Sequence, residues 1–85
     1  MDRANAIRLL KALVAAGANS NTLMVNSWVD DIAAGEASLQ GTELSSAVAY
    51  AEGQGWIADG PRQGWSVITH EGEKVARRVV GSGKG

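Results

Sequence analysis

The chain contains no cysteine. That excludes a disulfide framework, a thiolate metal site and a cysteine nucleophile together. Histidine occurs once, as His70, so a metal site built from several histidines is excluded as well. No apolar run approaches the roughly 20 residues that a membrane-spanning helix needs. The first residues, Met1-Asp2-Arg3, do not open a secretory signal with an apolar core and a cleavage site, and the expectation is a soluble, cytoplasmic protein. A phosphate-binding glycine loop is missing too, because the glycines of residues 81–85 have no strand before them and no helix after them.

What is there is a chain of 85 residues, 45% hydrophobic and 20% charged, enough for one small domain with a modest core. The net charge of −1 lacks the basic excess of a strong general nucleic-acid binder. The charge is uneven. Residues 1–60 hold seven acids against three bases, a net of −4, and residues 61–85 hold five bases against two acids, a net of +3. The basic end reads either as the solvated face of a last helix or as a cationic edge. Catalysis has few residues to carry it. His70 sits at the predicted start of a helix beside Glu71 and Glu73, where a histidine is a surface or capping residue. Asp30 and Asp31 have no ligand partners at metal spacing. No metal, cofactor or enzymatic activity is expected.

Four helices and two strands follow from periodicity. Ala6, Ile7, Leu9, Leu10, Leu13 and Val14 share one broad face of a helix over residues 2–16, with Arg8 and Lys11 opposite. Gly17 stops it, and Asn21 or Thr22 is placed to cap the next helix, 23–34, on which Val25, Trp28, Val29 and Ile32 follow helical spacing. Trp28 is expected as a core anchor and Gly35 as the C-cap. Leu39 dips inward from the loop 36–41. A third helix spans 43–54, with Thr42 as its cap, Leu44, Ala47, Val48 and Ala51 facing inward, and Ser45, Ser46, Ala49 and Tyr50 facing out. Short strands at 56–59 and 65–68 flank the turn Asp59-Gly60-Pro61-Arg62-Gln63-Gly64. Thr69 caps a last helix, about 70–80, with Val75, Ala76, Val79 and Val80 as its apolar positions. Residues 1–80 form the domain, and residues 81–85 read as a flexible glycine-rich tail.

Helix 43–54 ending in Gly55-Trp56-Ile57, the turn 59–64, and the junction Ile68-Thr69-His70-Glu71-Gly72 together resemble the winged helix-turn-helix family. The junction is similar to the strand-to-helix step of small bacterial regulators of the MarR and PadR type. The resemblance covers residues 3–80. It implies an α+β, mostly helical fold: a three-helix core, a two-stranded β-hairpin wing and a short C-terminal helix. It further implies double-stranded DNA as partner, read by a recognition helix with the wing on the adjacent backbone. Carried onto this chain, the recognition-helix contacts are Ser45, Ser46 and Tyr50, and the wing-tip contacts are Arg62 and Gln63. The serines and Tyr50 would position the helix, Arg62 would hold a phosphate, and Lys11 or Arg8 would assist. The proposed recognition helix carries Glu43 and Glu52 but no lysine or arginine, so bidentate guanine readout is absent from it. A monomer would bind weakly and with strong salt sensitivity.

The alternative is a winged helix that binds a protein and not DNA. Strand alternation sets Trp65 and Val67 on the outer side of the hairpin if Ile68 faces the core, and an exposed tryptophan beside a valine marks a protein interface. Alternatively, Trp65 folds over the end of the third helix against Trp56. Val75, Val79 and Val80 pack on the first helix, or they form the seam of a homodimer through the C-terminal helix.

Overall fold

In a computed structural model, which describes the backbone of residues 2–82 and the side chains of residues 2–77, the chain is α+β and mostly helical. Helix α1 is Asp2–Ala15, strand β1 Met24–Val25, helix α2 Asn26–Ile32, helix α3 Gly41–Gly53, strand β2 Ile57–Asp59, strand β3 Trp65–Ile68 and helix α4 His70–Ser82. A π-helical turn, Ala33–Ala37, continues α2.

Helix α1 is the centre of the core. Its Ala6, Leu9, Leu10 and Leu13 are fully enclosed, while Ile7 and Val14 are half-buried at the margin of the same stripe. Burying each leucine contributes about 1.5–3 kcal/mol. Helices α3 and α4 both pack against α1, through Leu44, Ala47 and Ala51 on one side and Val75 and Ala76 on the other. Ala47, Ala51 and Ala76 put little side-chain bulk between these helices. Among the described residues, no polar or charged side chain is buried.

The sheet departs from the expected two-stranded hairpin. A third strand, β1, joins it in the order β1-β3-β2, antiparallel throughout. Met24 pairs with Ser66 and Val25 with Trp65, while Ile57, Ala58 and Asp59 pair with Ile68, Val67 and Ser66. Residues 23–25 are therefore not the start of a helix, and Asn21 and Thr22 do not cap one. Instead the Asn19 side chain accepts from the Asn21 amide (2.7 Å) and the Thr22 hydroxyl (3.2 Å), closing a turn that delivers Leu23 extended. Helix α2 begins only at Asn26, whose amide donates to the Gly64 carbonyl (2.9 Å). Val25 occupies its cap position without a side-chain bond. The helical spacing of Val25 with Trp28, Val29 and Ile32 is accidental at its first member. Of that stripe Val29 is buried, and Trp28 and Ile32 pack half-buried against the core.

Two further caps differ from expectation. Gly35 lies inside the π-helical turn, and the left-handed residue that ends it is Ser38 (φ 57°). The Ala37 carbonyl there accepts from the Arg8 guanidinium. Helix α3 starts at Gly41, two residues early, with extended Gln40 at its cap position and no capping side chain. Leu39, buried, fills the space between these helices as expected.

The entry to α4 follows the sequence reading closely. Ile68 is fully buried, and the Thr69 hydroxyl accepts from the Gly72 amide (3.0 Å), capping the helix. The same hydroxyl donates to the Gly55 carbonyl (2.6 Å). Gly72 lies against the chain at Trp56, where an added Cβ would stand 2.2 Å from the Trp56 carbonyl oxygen. Helix α4 runs past the expected end at residue 80 to Ser82. The side chains of Val79 and Val80, and with them the expected dimer seam, lie outside the described residues, as do residues 83–85 of the expected tail.

Candidate recognition surface

The turn between β2 and β3 holds its shape through main-chain bonds. The Gly60 amide donates to the Trp65 carbonyl (2.8 Å), and the Trp65 amide donates to the Arg62 carbonyl (3.2 Å). Gly60 is packed on Trp65, so a Cβ there would meet the Trp65 main chain at 3.1 Å. This closed turn stands away from α3. Between the turn, α3 and the start of α2 lies an open groove of about 860 Å³.

Ser45, Ala49 and Glu52 line the groove from α3, Asp30 from α2, and Asp59, Arg62, Gln63 and Trp65 from the hairpin. Three of the residues singled out from sequence, Ser45, Arg62 and Gln63, are thus brought together. Ser46 and Tyr50 are not among the groove residues. At 3.6 residues per turn they stand about 100° and 140° round the helix from Ser45. Tyr50 is half-buried, with its ring 5.8 Å from that of Trp56 and tilted by 60°. The Arg3 guanidinium lies 5.4 Å from the Trp56 ring centre. Tyr50, Trp56 and Arg3 therefore fasten the end of α3 to the beginning of α1. Arg8, bound to Ala37, is likewise engaged within the fold.

The electrostatics of the groove run against its single cation. Asp30, Glu52 and Asp59 line it with Arg62 as the one base. None of the three carboxylates takes part in an ion pair among the described residues, where the charged contacts are His70 with Glu73 (4.0 Å) and Lys74 with Glu71 (3.7 Å), both on α4. Sequence spacing does not show that these acids line one groove, because they come from three elements.

Trp65 is 37% exposed and borders the groove. It does not fold against Trp56, whose ring is occupied by Tyr50 and Arg3. The other exposed large apolar side chains among the described residues are Leu23 and Val25. Val25 stands opposite Trp65 in the sheet, and alternation puts Leu23, Val25, Trp65 and half-buried Val67 on one face. The opposite face carries Met24, Ile57 and Ile68 into the core. The outer side of the sheet is thus apolar and uncovered. The signal that could have revealed Leu23 and Val25 was the extended trio 23–25 directly after the polar turn 19–22.

The His70 side chain is 87% exposed at the start of α4. Among the described residues, no group of three acidic or histidine side chains is placed to hold a metal ion, and no helix is long and apolar enough to cross a membrane. No protein-family model, no curated protein and no solved structure matches the chain.

Proposed function

We propose that the chain is a non-catalytic winged-helix domain whose α3 and hairpin form a surface for binding another protein. The succession of three helices, a hairpin and a last helix, with β1 completing the sheet, supports the winged-helix reading. In it α3 is the recognition helix and the turn 60–64 the wing. The observation that carries the choice of ligand is the make-up of the groove between them, which Asp30, Glu52 and Asp59 line with Arg62 as its one base, together with the exposed Trp65, Val25 and Leu23 on the other face of the sheet. A phosphate backbone entering there would meet more negative than positive charge. A protein would bury an aromatic anchor of the kind that dominates interface energetics.

A second reading is weak binding of double-stranded DNA. It is favoured by one arrangement, the meeting of Ser45, Arg62 and Gln63 in the groove. The two readings differ in which substitution matters. Immobilised protein should retain a partner from its source cells that Trp65→Ser loses and Arg62→Ala keeps. Amide shifts on a duplex oligonucleotide at Ser45, Arg62 and Gln63, diminished by salt and abolished by Arg62→Ala but not by Trp65→Ser, would establish the DNA reading instead.

A further inference from the structure

We infer that a second groove, between α1 and α4, binds an acidic segment of a partner protein, one in which glutamate or aspartate flanks a leucine-sized apolar side chain. None of its residues lines the groove beside α3, so the inference does not depend on that surface. The second groove measures about 360 Å³ and is bordered by Lys11, Val14 and Ala15 of α1 and by Ala76 and Arg77 of α4. Its walls are almost wholly hydrocarbon. Ala76 is buried at its base, Val14 is half-buried and Ala15 is exposed. Lys11 and Arg77, one from each helix, therefore lend it their methylene stems and carry their charges at its edge. An apolar slot with a cation on either side fits apolar bulk flanked by negative charge.

Both cations are uncommitted within the fold. Neither takes part in an ion pair among the described residues. Lys11 has Ile7, Arg8, Val14 and Ala15 at the neighbouring helical positions, none of them acidic. Arg77 has Glu73 one turn earlier, but that carboxylate accepts from the Ser20 amide (2.7 Å) and lies 4.0 Å from His70. Beyond Arg77, residues 78–85 add Arg78 and Lys84 and no acid. These charges argue against a second copy seated here about a two-fold axis, because the same patch would face itself and set like charges together. A bilayer fits poorly as well, since a recessed slot offers it no protruding apolar side chain to insert.

The test uses the full chain and a synthetic peptide in which glutamates flank each leucine, compared with the same peptide carrying glutamine for glutamate, by amide NMR titration. The glutamate peptide should shift Lys11, Val14, Ala15, Ala76 and Arg77, and less strongly as salt is raised. Lys11→Gln combined with Arg77→Gln should weaken it about tenfold, the size expected from losing two partly exposed charge contacts. Ala15→Leu should weaken it too, by narrowing the slot from an exposed position that leaves the core alone, with circular dichroism checking that each variant is folded. Trp65→Ser, on the other surface, should leave the affinity unchanged, so failure here and failure of the protein-binding reading above are told apart. Equal affinity of the glutamine peptide, shifts confined to residues outside the groove, or no binding would overturn the inference. So would shifts of the same residues with protein concentration alone, which would assign the groove to a second copy, or with phosphatidylserine vesicles and not the peptide, which would assign it to lipid.

Discussion

The entry to α4 and the groove beside α3 are linked through the single strand β3, yet they meet their polar groups in opposite ways. At the entry to α4 the polar groups of Thr69 and Glu73 are used. The Thr69 hydroxyl both donates to Gly55 and accepts from Gly72, the Thr69 amide donates to the Trp56 carbonyl (2.9 Å), and the Glu73 carboxylate accepts from the Ser20 amide (2.7 Å) across 53 residues of chain. The groove is lined by three carboxylates without an ion pair among the described residues, and on the other face of the same sheet Leu23, Val25 and Trp65 are exposed. The first region is accounted for by stability, because its contacts tie four segments together. The second is not, because the fold gains nothing visible from lining a groove with three acids and one base. Residues that do not serve the fold are the ones to question for function.

The largest break in this contrast comes from Gly72→Ala. A methyl group 2.2 Å from the Trp56 carbonyl oxygen and 2.9 Å from the Ile68 side chain cannot be accommodated by rotating a flexible neighbour, since the nearer atom is main chain. The substitution should cost about 3 kcal/mol by forcing helix and strand apart. A domain of 85 residues holds only roughly 4–13 kcal/mol, so the loss is severe. Urea unfolding measures it, and a midpoint unchanged from wild type would show that α4 does not seat at this distance.

The same junction was also the most legible part of the sequence, and the reason is physical. Ile68, Thr69 and Gly72 each have one local job that only their residue type performs: filling the core, capping a helix, permitting close approach. The inner stripes of α1 and α3 were legible for the comparable reason that helical periodicity records burial directly. Strand β1 was hidden because two residues carry too little period to compete with a helical match running through Val25. On α3 the outward face does not coincide with the groove, since Ser46 and Tyr50 lie round the helix from Ser45 and Tyr50 packs on Trp56. The acidic character of the groove was illegible altogether. Asp30, Glu52 and Asp59 stand on three different elements and line one groove only once α2, α3 and the hairpin are assembled.

A smaller effect comes from the two glutamates that best represent the two regions. Glu73 has a side chain only 16% exposed and holds the turn after α1 through Ser20. Hydrogen bonds to a charged acceptor contribute about 1.5–3 kcal/mol, and Glu73→Ala should cost near the lower figure because the Ser20 amide regains water. For a domain of this size that lowers the melting temperature by roughly 6–12 °C. Thermal unfolding followed by circular dichroism measures the change. A shift below a degree would mean that the turn 19–22 is held by its own Asn19 bonds alone.

Glu52→Gln is the smallest expected effect and the sharpest test of the contrast. Glu52 is exposed on α3, and no hydrogen bond or ion pair engages its side chain among the described residues. Its loss should change stability by less than about 0.5 kcal/mol, as for surface sites without a named partner. Any change should be stabilising, for two reasons. Glu52 stands in the last turn of α3, where negative charge opposes the helix dipole, and it shares the groove with Asp30 and Asp59, which repel it. Raising the salt concentration should shrink this gain, because exposed charges are screened. A destabilisation of a full kcal/mol would show that Glu52 has a structural partner, and the groove would lose its claim to being shaped by anything but the fold. A small gain in stability that salt diminishes would show that this charge contributes nothing to the fold.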